Sequence, residues 1–182
     1  MNASFLVDLR LKPNDSQDPL FVRPYKLDPE VAKKLERKCE EMITQGILEP
    51  CSSSWNSPCL AIKKKNGDVR LVNNYFAGLN QRLLMTNCPI PPLRALNALL
   101  SEKIAEFSRK FPSEEIVFSS YDLRNGFYHL GLKKSSRDLS AFIVTAKQLR
   151  YARLSMGLSL SPSVFQRFLH EIFFKTSFDE KL

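Results

Sequence analysis

Apolar residues recur at helical spacing in LDPEVAKKLERKCEEMITQG, where Val31, Leu35, Met42 and Ile43 make a stripe and Lys and Glu hold the other face. Asp28 is placed to cap the free amides, Pro29 suits the first turn, and Gly46 supplies the stop. The period then shortens. CLAI and VRLV are β-prone runs flanking KKKNGD, and the Asn66-Gly67 pair predicts a hairpin between them. A proline-rich turn, CPIPPL, leads into RALNALL, a short helix, and SEKIAEFSRKFPSEE either lengthens it or forms a surface loop. EIVFSSYDL has the strongest strand character of the chain. After a turn at Asn125-Gly126, YHLGL, SAFIV and LRYARL read as further short strands. SPSVFQRFLHEIFF predicts a helix that starts near Ser161 or Ser163, with Phe165, Leu169, Ile172 and Phe173 on one face. Residues 1–26, punctuated by KPNDSQDP and VRPY, read as an extended leader. Helices and strands mix without a repeat, which predicts an α+β fold.

Composition alters this picture in one respect. A chain of 182 residues suffices for one sizeable domain or two small lobes sharing a core, and a 43% hydrophobic fraction is ordinary for a globular protein. The balance of 27 Lys and Arg against 19 Asp and Glu gives a net charge of +8, which points to a polyanionic partner. A merely soluble basic protein fits the charge as well. Cys39, Cys51, Cys59 and Cys88 form no CxxC pair, so neither a zinc site nor a disulfide framework is expected, and a reducing compartment is the default. His129 and His170 are too far apart for a local metal motif. The N-terminal MNASFLVDLRLK lacks the apolar core of a signal peptide, and no apolar run is long enough to span a bilayer. The expectation is a soluble intracellular protein with no membrane partner.

Three stretches could carry chemistry. In FSSYDLRNGFYHLGL, Asp122 ends a β-prone run directly before a tight turn. Such an acid either accepts the turn's own amides or points into a cleft to meet a hard cation such as magnesium. The amides from Arg124 to Phe127 can form a concave array for phosphate oxygens. Lys63, Lys64, Lys65 and Arg70 flank the first hairpin turn; they make either a solvated loop or a cluster converging on phosphates. In SMGLSLSPSVFQRF, Gly157 permits close backbone approach and Pro162 opens a helix whose N-terminal end favours anions. An ordinary loop before an amphipathic helix explains the same pattern.

The order of the three is more informative than any one. A basic hairpin, then YDLRNGFYHL, then RYARLSMGLSLSPSVFQRF resembles the reverse transcriptases of gypsy-type LTR retrotransposons and their retroviral relatives over roughly residues 27–176. The resemblance implies a right-hand polymerase: fingers at about 27–88 and 131–152, a partial palm at about 89–130 and 153–176, and a tail at 177–182. It implies RNA-directed DNA synthesis on an RNA or DNA template with a primer, using deoxynucleoside triphosphates. It implies Asp122 as a carboxylate on two Mg2+ ions, with Mn2+ as the alternative, and the Leu123 carbonyl assisting at one of them. Asn125, Gly126 and Phe127 would line the triphosphate site through their amides. Phe127 would also floor the sugar and exclude a 2′-hydroxyl. Arg70 and a lysine of Lys63, Lys64 and Lys65, with Lys64 preferred, would clamp the phosphates. Gly157 would let the backbone approach the nascent base pair, and Arg167 would support the nucleic-acid backbone. The implied setting is cytoplasmic, with a virus-like particle or the nucleus as alternatives.

The pattern also departs from the family. Relatives commonly read Val-Asp-Tyr-Arg after the first hairpin; here residues 72–76 read VNNYF, with Asn for Asp, Phe76 at the Arg position and one extra residue, so an ion pair that braces the fingers is expected to be absent. The family's second acidic motif, Tyr-x-Asp-Asp, does not occur before Leu182, and Asp179 and Glu180 read as a terminal tail. The remaining palm, the thumb and any RNase H domain would be separate partners. The expectation is therefore a chain that does not polymerise alone. The alternative is a catalytically inactive nucleic-acid-binding remnant of a retroelement pol gene.

Overall fold

The computed structural model describes residues 5–65, 67–85 and 92–175. Helix α1 (Pro29–Thr44) forms as the sequence predicts. Asp28 accepts from the amides of Glu30 and Val31, Pro29 opens the helix, and Leu35, Cys39 and Met42 are buried. A cap of this kind contributes ~1 kcal/mol. The chain turns at Gly46 into β2 (Leu48–Pro50), then β3 (Cys59–Lys63) and β4 (Val69–Asn73). β3 and β4 pair antiparallel from Cys59↔Asn73 to Lys63↔Val69. Val69, Leu71 and Asn73 are buried, whereas Arg70 between them is exposed, the period-two alternation of a half-buried strand. Asn66 of the predicted turn lies outside the described residues, as do residues 88–91 of CPIPPL, Cys88 among them, and the tail.

Helix α2 (Leu79–Arg82) precedes α3 (Leu93–Lys110), in which RALNALL and SEKIAEFSRK join as one helix. Later come β5 (Gly131–Leu132), β6 (Phe142–Val144), β7 (Lys147–Tyr151) and α4 (Ser161–Lys175). β2, β7 and β6 form a three-stranded antiparallel sheet in that order. α1 packs against both this sheet and the β3–β4 hairpin, so Leu35, Leu48, Val69, Phe142 and Leu149 meet in one core. Glu49 lies opposite Arg150 in the sheet, and Arg150 and Arg137 both reach its carboxylate while Arg150 also holds Asp138.

Three local expectations change. The leader is extended but integral to the domain. β1 (Leu6–Val7) pairs parallel with β5, Val7 and Leu9 are buried, Arg82 grips Asp15, and residues 20–22 bond to Asn56. Its alternating apolar residues find a groove that a linear reading does not show. EIVFSSYDL, the strongest predicted strand, is not a strand: residues 114–123 have no regular structure, and Val117 and Tyr121 are 80% and 89% exposed. Strand propensity is realised only against a partner edge, and no described strand runs beside this one. YHLGL keeps just Gly131–Leu132 as strand, because Asn125 adopts a left-handed conformation (φ 57°) and residues 126–129 wind into a 3-10 turn. In α4 the packing face is Val164, Phe165 and Phe168, while Ile172 and Phe173 of the predicted stripe are exposed.

Candidate functional site

A cavity of about 280 Å3 opens between α1, the β3–β4 hairpin and the turn after Asp122. The hairpin supplies Lys64 and Arg70, with Val69 and Leu71 beneath them. The turn supplies Arg124, Asn125 and Tyr128; α1 supplies Lys38, Met42 and Gln45; Met156 and Ile47 close the remainder. Four cations therefore face one space, and among the described residues no carboxylate lines it. Lys64 and Lys38 are each paired with a carboxylate outside the lining, Asp68 and Glu41, but the acids do not enter the space, whose cationic lining suits an anionic ligand.

Local structure explains how distant residues meet. Pairing places Arg70 opposite Ile62 on the outward face of the hairpin, and Lys64 begins the turn, its amide donating to the Asp68 carbonyl at 2.7 Å. Lys64 Nζ also lies 3.4 Å from Asp68. The Asp68 carboxyl is held below its ordinary range by the Val69 amide and by Lys64. The floor is an aromatic network. Tyr128 stacks on Tyr151 with centroids 6.3 Å apart, and the Tyr151 hydroxyl donates to Asn73 Oδ1 at 2.9 Å. Burial raises the Tyr128 phenol, keeping it protonated at neutral pH.

The remaining candidates are distributed as follows. Asp122 and Leu123 lie in the exposed segment outside the cavity lining. Lys63 and Lys65 are exposed beside Lys64 and do not line it. Gly126 sits against α4: a Cβ there would meet the Phe165 ring at 2.8 Å. Phe127 also turns to α4, edge-on to Phe165 at 5.3 Å. Gly157 has φ +90°, and a Cβ would come within 3.1 Å of the Asn73 carbonyl, so its close approach is to β4 of this chain. Its neighbour Met156 reaches the cavity. The Arg167 guanidinium lies 5.7 Å over the Phe5 ring, on the leader side of α4. Phe76, in the place of the family's Arg, is 77% exposed, and Asn74 donates to the Tyr25 hydroxyl instead of joining an ion pair.

Lys38 and Gln45 line the cavity although neither is a sequence candidate; both lie beside the apolar stripe that defines α1. The spacing Lys38, Met42, Gln45 places all three along one helical edge, which is the signal that could have found them. A metal site fits less well. Among the described residues no three His, Cys, Asp or Glu side chains cluster as cation ligands, so Asp122 does not complete a metal site with them. Cys39, Cys51 and Cys59 are free thiols whose pKa values burial pushes up to about 12, 11 and 11. No described helix is long and apolar enough to cross a membrane.

A cationic cavity on an α+β frame, next to an acid-bearing turn, is the kind of site that takes a phosphorylated substrate. The model of the reverse transcriptase (RNA-dependent DNA polymerase) family matches residues 62–179, and the chain belongs to that family. It is 29% identical to the Retrovirus-related Pol polyprotein from transposon opus of Drosophila melanogaster, over 94% of this chain and 16% of that protein. It is 28% identical to the genome polyprotein of Petunia vein clearing virus (isolate Shepherd), over 95% of this chain and 8% of that protein. The chain thus spans a small part of the length of the curated relatives it matches. Among solved structures, the Prototype Foamy Virus protease-reverse transcriptase superposes with a TM-score of 0.69 at 23% identity, covering 90% of this chain and 20% of that one. A foamy viral protease-reverse transcriptase in complex with RNA/DNA hybrid superposes with a TM-score of 0.65 at 21% identity, over 87% of this chain and 20% of that one. These likenesses establish the polymerase fold.

Proposed function

We propose that this chain is the nucleotide-binding part of a retroelement reverse transcriptase, comprising fingers and part of the palm, which serves template-directed transfer of a deoxynucleotide to a primer 3′-hydroxyl. The observation that carries the reading is the meeting of Lys64 and Arg70 from the hairpin with Asn125 from the turn in one cavity. Those residues are separated in sequence, and the resemblance implies that they share a triphosphate site.

In this reading Arg70 and Lys64 hold the phosphate tail, Arg through a planar fork and Lys as a point charge. The turn at Asn125, Gly126 and Phe127 sets the height of the nucleotide, with Phe127 braced by Phe165 so that a sugar bearing a 2′-hydroxyl is rejected. Gly157 keeps the loop carrying Met156 close to β4. Arg167 contributes non-specific charge toward a nucleic-acid backbone. Reverse transcriptases depend on divalent metal, for which Mg2+ is the proposed ion. Asp122 and the Leu123 carbonyl are this chain's contribution to it, and further carboxylates must come from residues other than those described. The proposed partners are a primed RNA or DNA template, deoxynucleoside triphosphates, and the remaining palm, thumb and RNase H portions of a polyprotein.

The test is binding of the 182-residue chain to a primed template at several salt concentrations, with primer extension in parallel. Binding that falls steeply with salt, without extension, is expected. No binding at low ionic strength would overturn the proposal.

A further inference from the structure

We infer that Lys38 of α1 and Arg124 of the turn complete the phosphate clamp, and that Glu41 holds Lys38 until a polyphosphate displaces it. This rests on the nucleotide-pocket reading above and adds residues that reading does not use.

Lys38 lies at the boundary of two cavities. One is the space of about 280 Å3 that it shares with Lys64, Arg70 and Arg124. The other, about 230 Å3, it shares with Lys34, Arg37, Glu41 and Asp68. Their chemistry differs. The second carries its own acids and neutralises much of its charge. The first, among the described residues, has none.

Lys38 Nζ is 2.7 Å from Glu41 Oε2, one helical turn along α1, and its side chain is 30% exposed. A lysine so placed can exchange a surface carboxylate for a phosphate oxygen by rotating its own stem. An exposed pair of this type is weak, so a multiply charged phosphate competes with it. Arg124 forms no ion pair among the described residues. Its carbonyl lies 3.1 Å from His129 Nε2, a contact that anchors the turn, and Arg124 lines the cavity. Lys38 and Arg124 thus reach the cavity from α1 and the turn, and Lys64 and Arg70 reach it from the hairpin. A space of about 280 Å3 lined by four cations from three elements suits a chain of phosphates better than a single one.

The test is calorimetric titration of the 182-residue chain with dTTP and, separately, with dTMP. Lys38→Gln and Arg124→Gln should each weaken dTTP about three- to tenfold and leave dTMP unchanged. Lys38→Arg should restore most of the dTTP loss. Glu41→Gln should tighten dTTP about twofold by freeing Lys38, an effect a merely structural lysine would not give. All these positions are on the surface, and an unchanged thermal midpoint verifies folding. If Lys38→Gln and Arg124→Gln bind dTTP like the parent while Arg70→Gln loses it, the inference fails and the pocket reading stands. If Arg70→Gln is also silent, or the parent does not distinguish dTTP from dTMP, the pocket reading fails and takes the inference with it.

Discussion

The three-stranded sheet with its hairpin and the stretch from α3 to Asp122 are built from similar residues yet end in opposite states. In the first, Leu48, Phe142, Leu149 and Tyr151 are buried by elements far apart in sequence. In the second, α3 buries no residue, with Leu93 72% and Leu99 55% exposed, and the Val117–Tyr121 run projects into solvent. The difference is not hydrophobicity. It is whether complementary surface lies within reach. The cationic cavity falls on the seam: its hairpin and α1 walls belong to the packed region, and its Arg124–Asn125 wall follows directly on the open one. A packed region therefore fixes the cations of the hairpin and α1, while Asp122 lies in the exposed stretch.

Several experiments would break or sharpen that contrast. The largest effect should come from Phe142→Ala, which removes a fully buried ring and should cost ~3–5 kcal/mol in a denaturant melt. Gly157→Ala should cost ~1–3 kcal/mol, since it forces a side chain onto a positive-φ position already crowded by the Asn73 carbonyl and Tyr75. A smaller, pH-dependent effect is expected at the leader. The Asp15 carboxyl is held low by its hydrogen bond from Arg82, so its contribution is present above the unfolded carboxylate pKa and is lost as pH falls through the lower folded value. Arg82→Ala should remove that part of the acid dependence, as read in melts between neutral and acidic pH. The smallest effect belongs to the open region: Tyr121→Ala should shift stability by less than ~0.5 kcal/mol. A large loss at Tyr121 would mean that the run is packed after all.

Where a feature is local, the sequence was legible. Asp28, Pro29 and Gly46 delimit α1, and the alternation in VRLV fixes which side of β4 is buried. The membership of the cavity was half legible, since Lys64, Arg70 and Asn125 were candidates, whereas Lys38 was hidden by α1's packing stripe. Two features were not legible because they depend on partners. The leader's order comes from β5, Asn56 and Arg82, which lie far along the chain. EIVFSSYDL has strand propensity with nothing described to pair with, so its propensity mispredicted its state.

The central claim is that this seam is a triphosphate site. It is tested most directly by the dissociation constant of dTTP for the 182-residue chain and for Arg70→Gln. Loss of a charge-assisted phosphate contact should weaken binding at least about tenfold, corresponding to ~1.5–3 kcal/mol, with no change in the melting midpoint. Equal affinity in the two proteins would contradict the account.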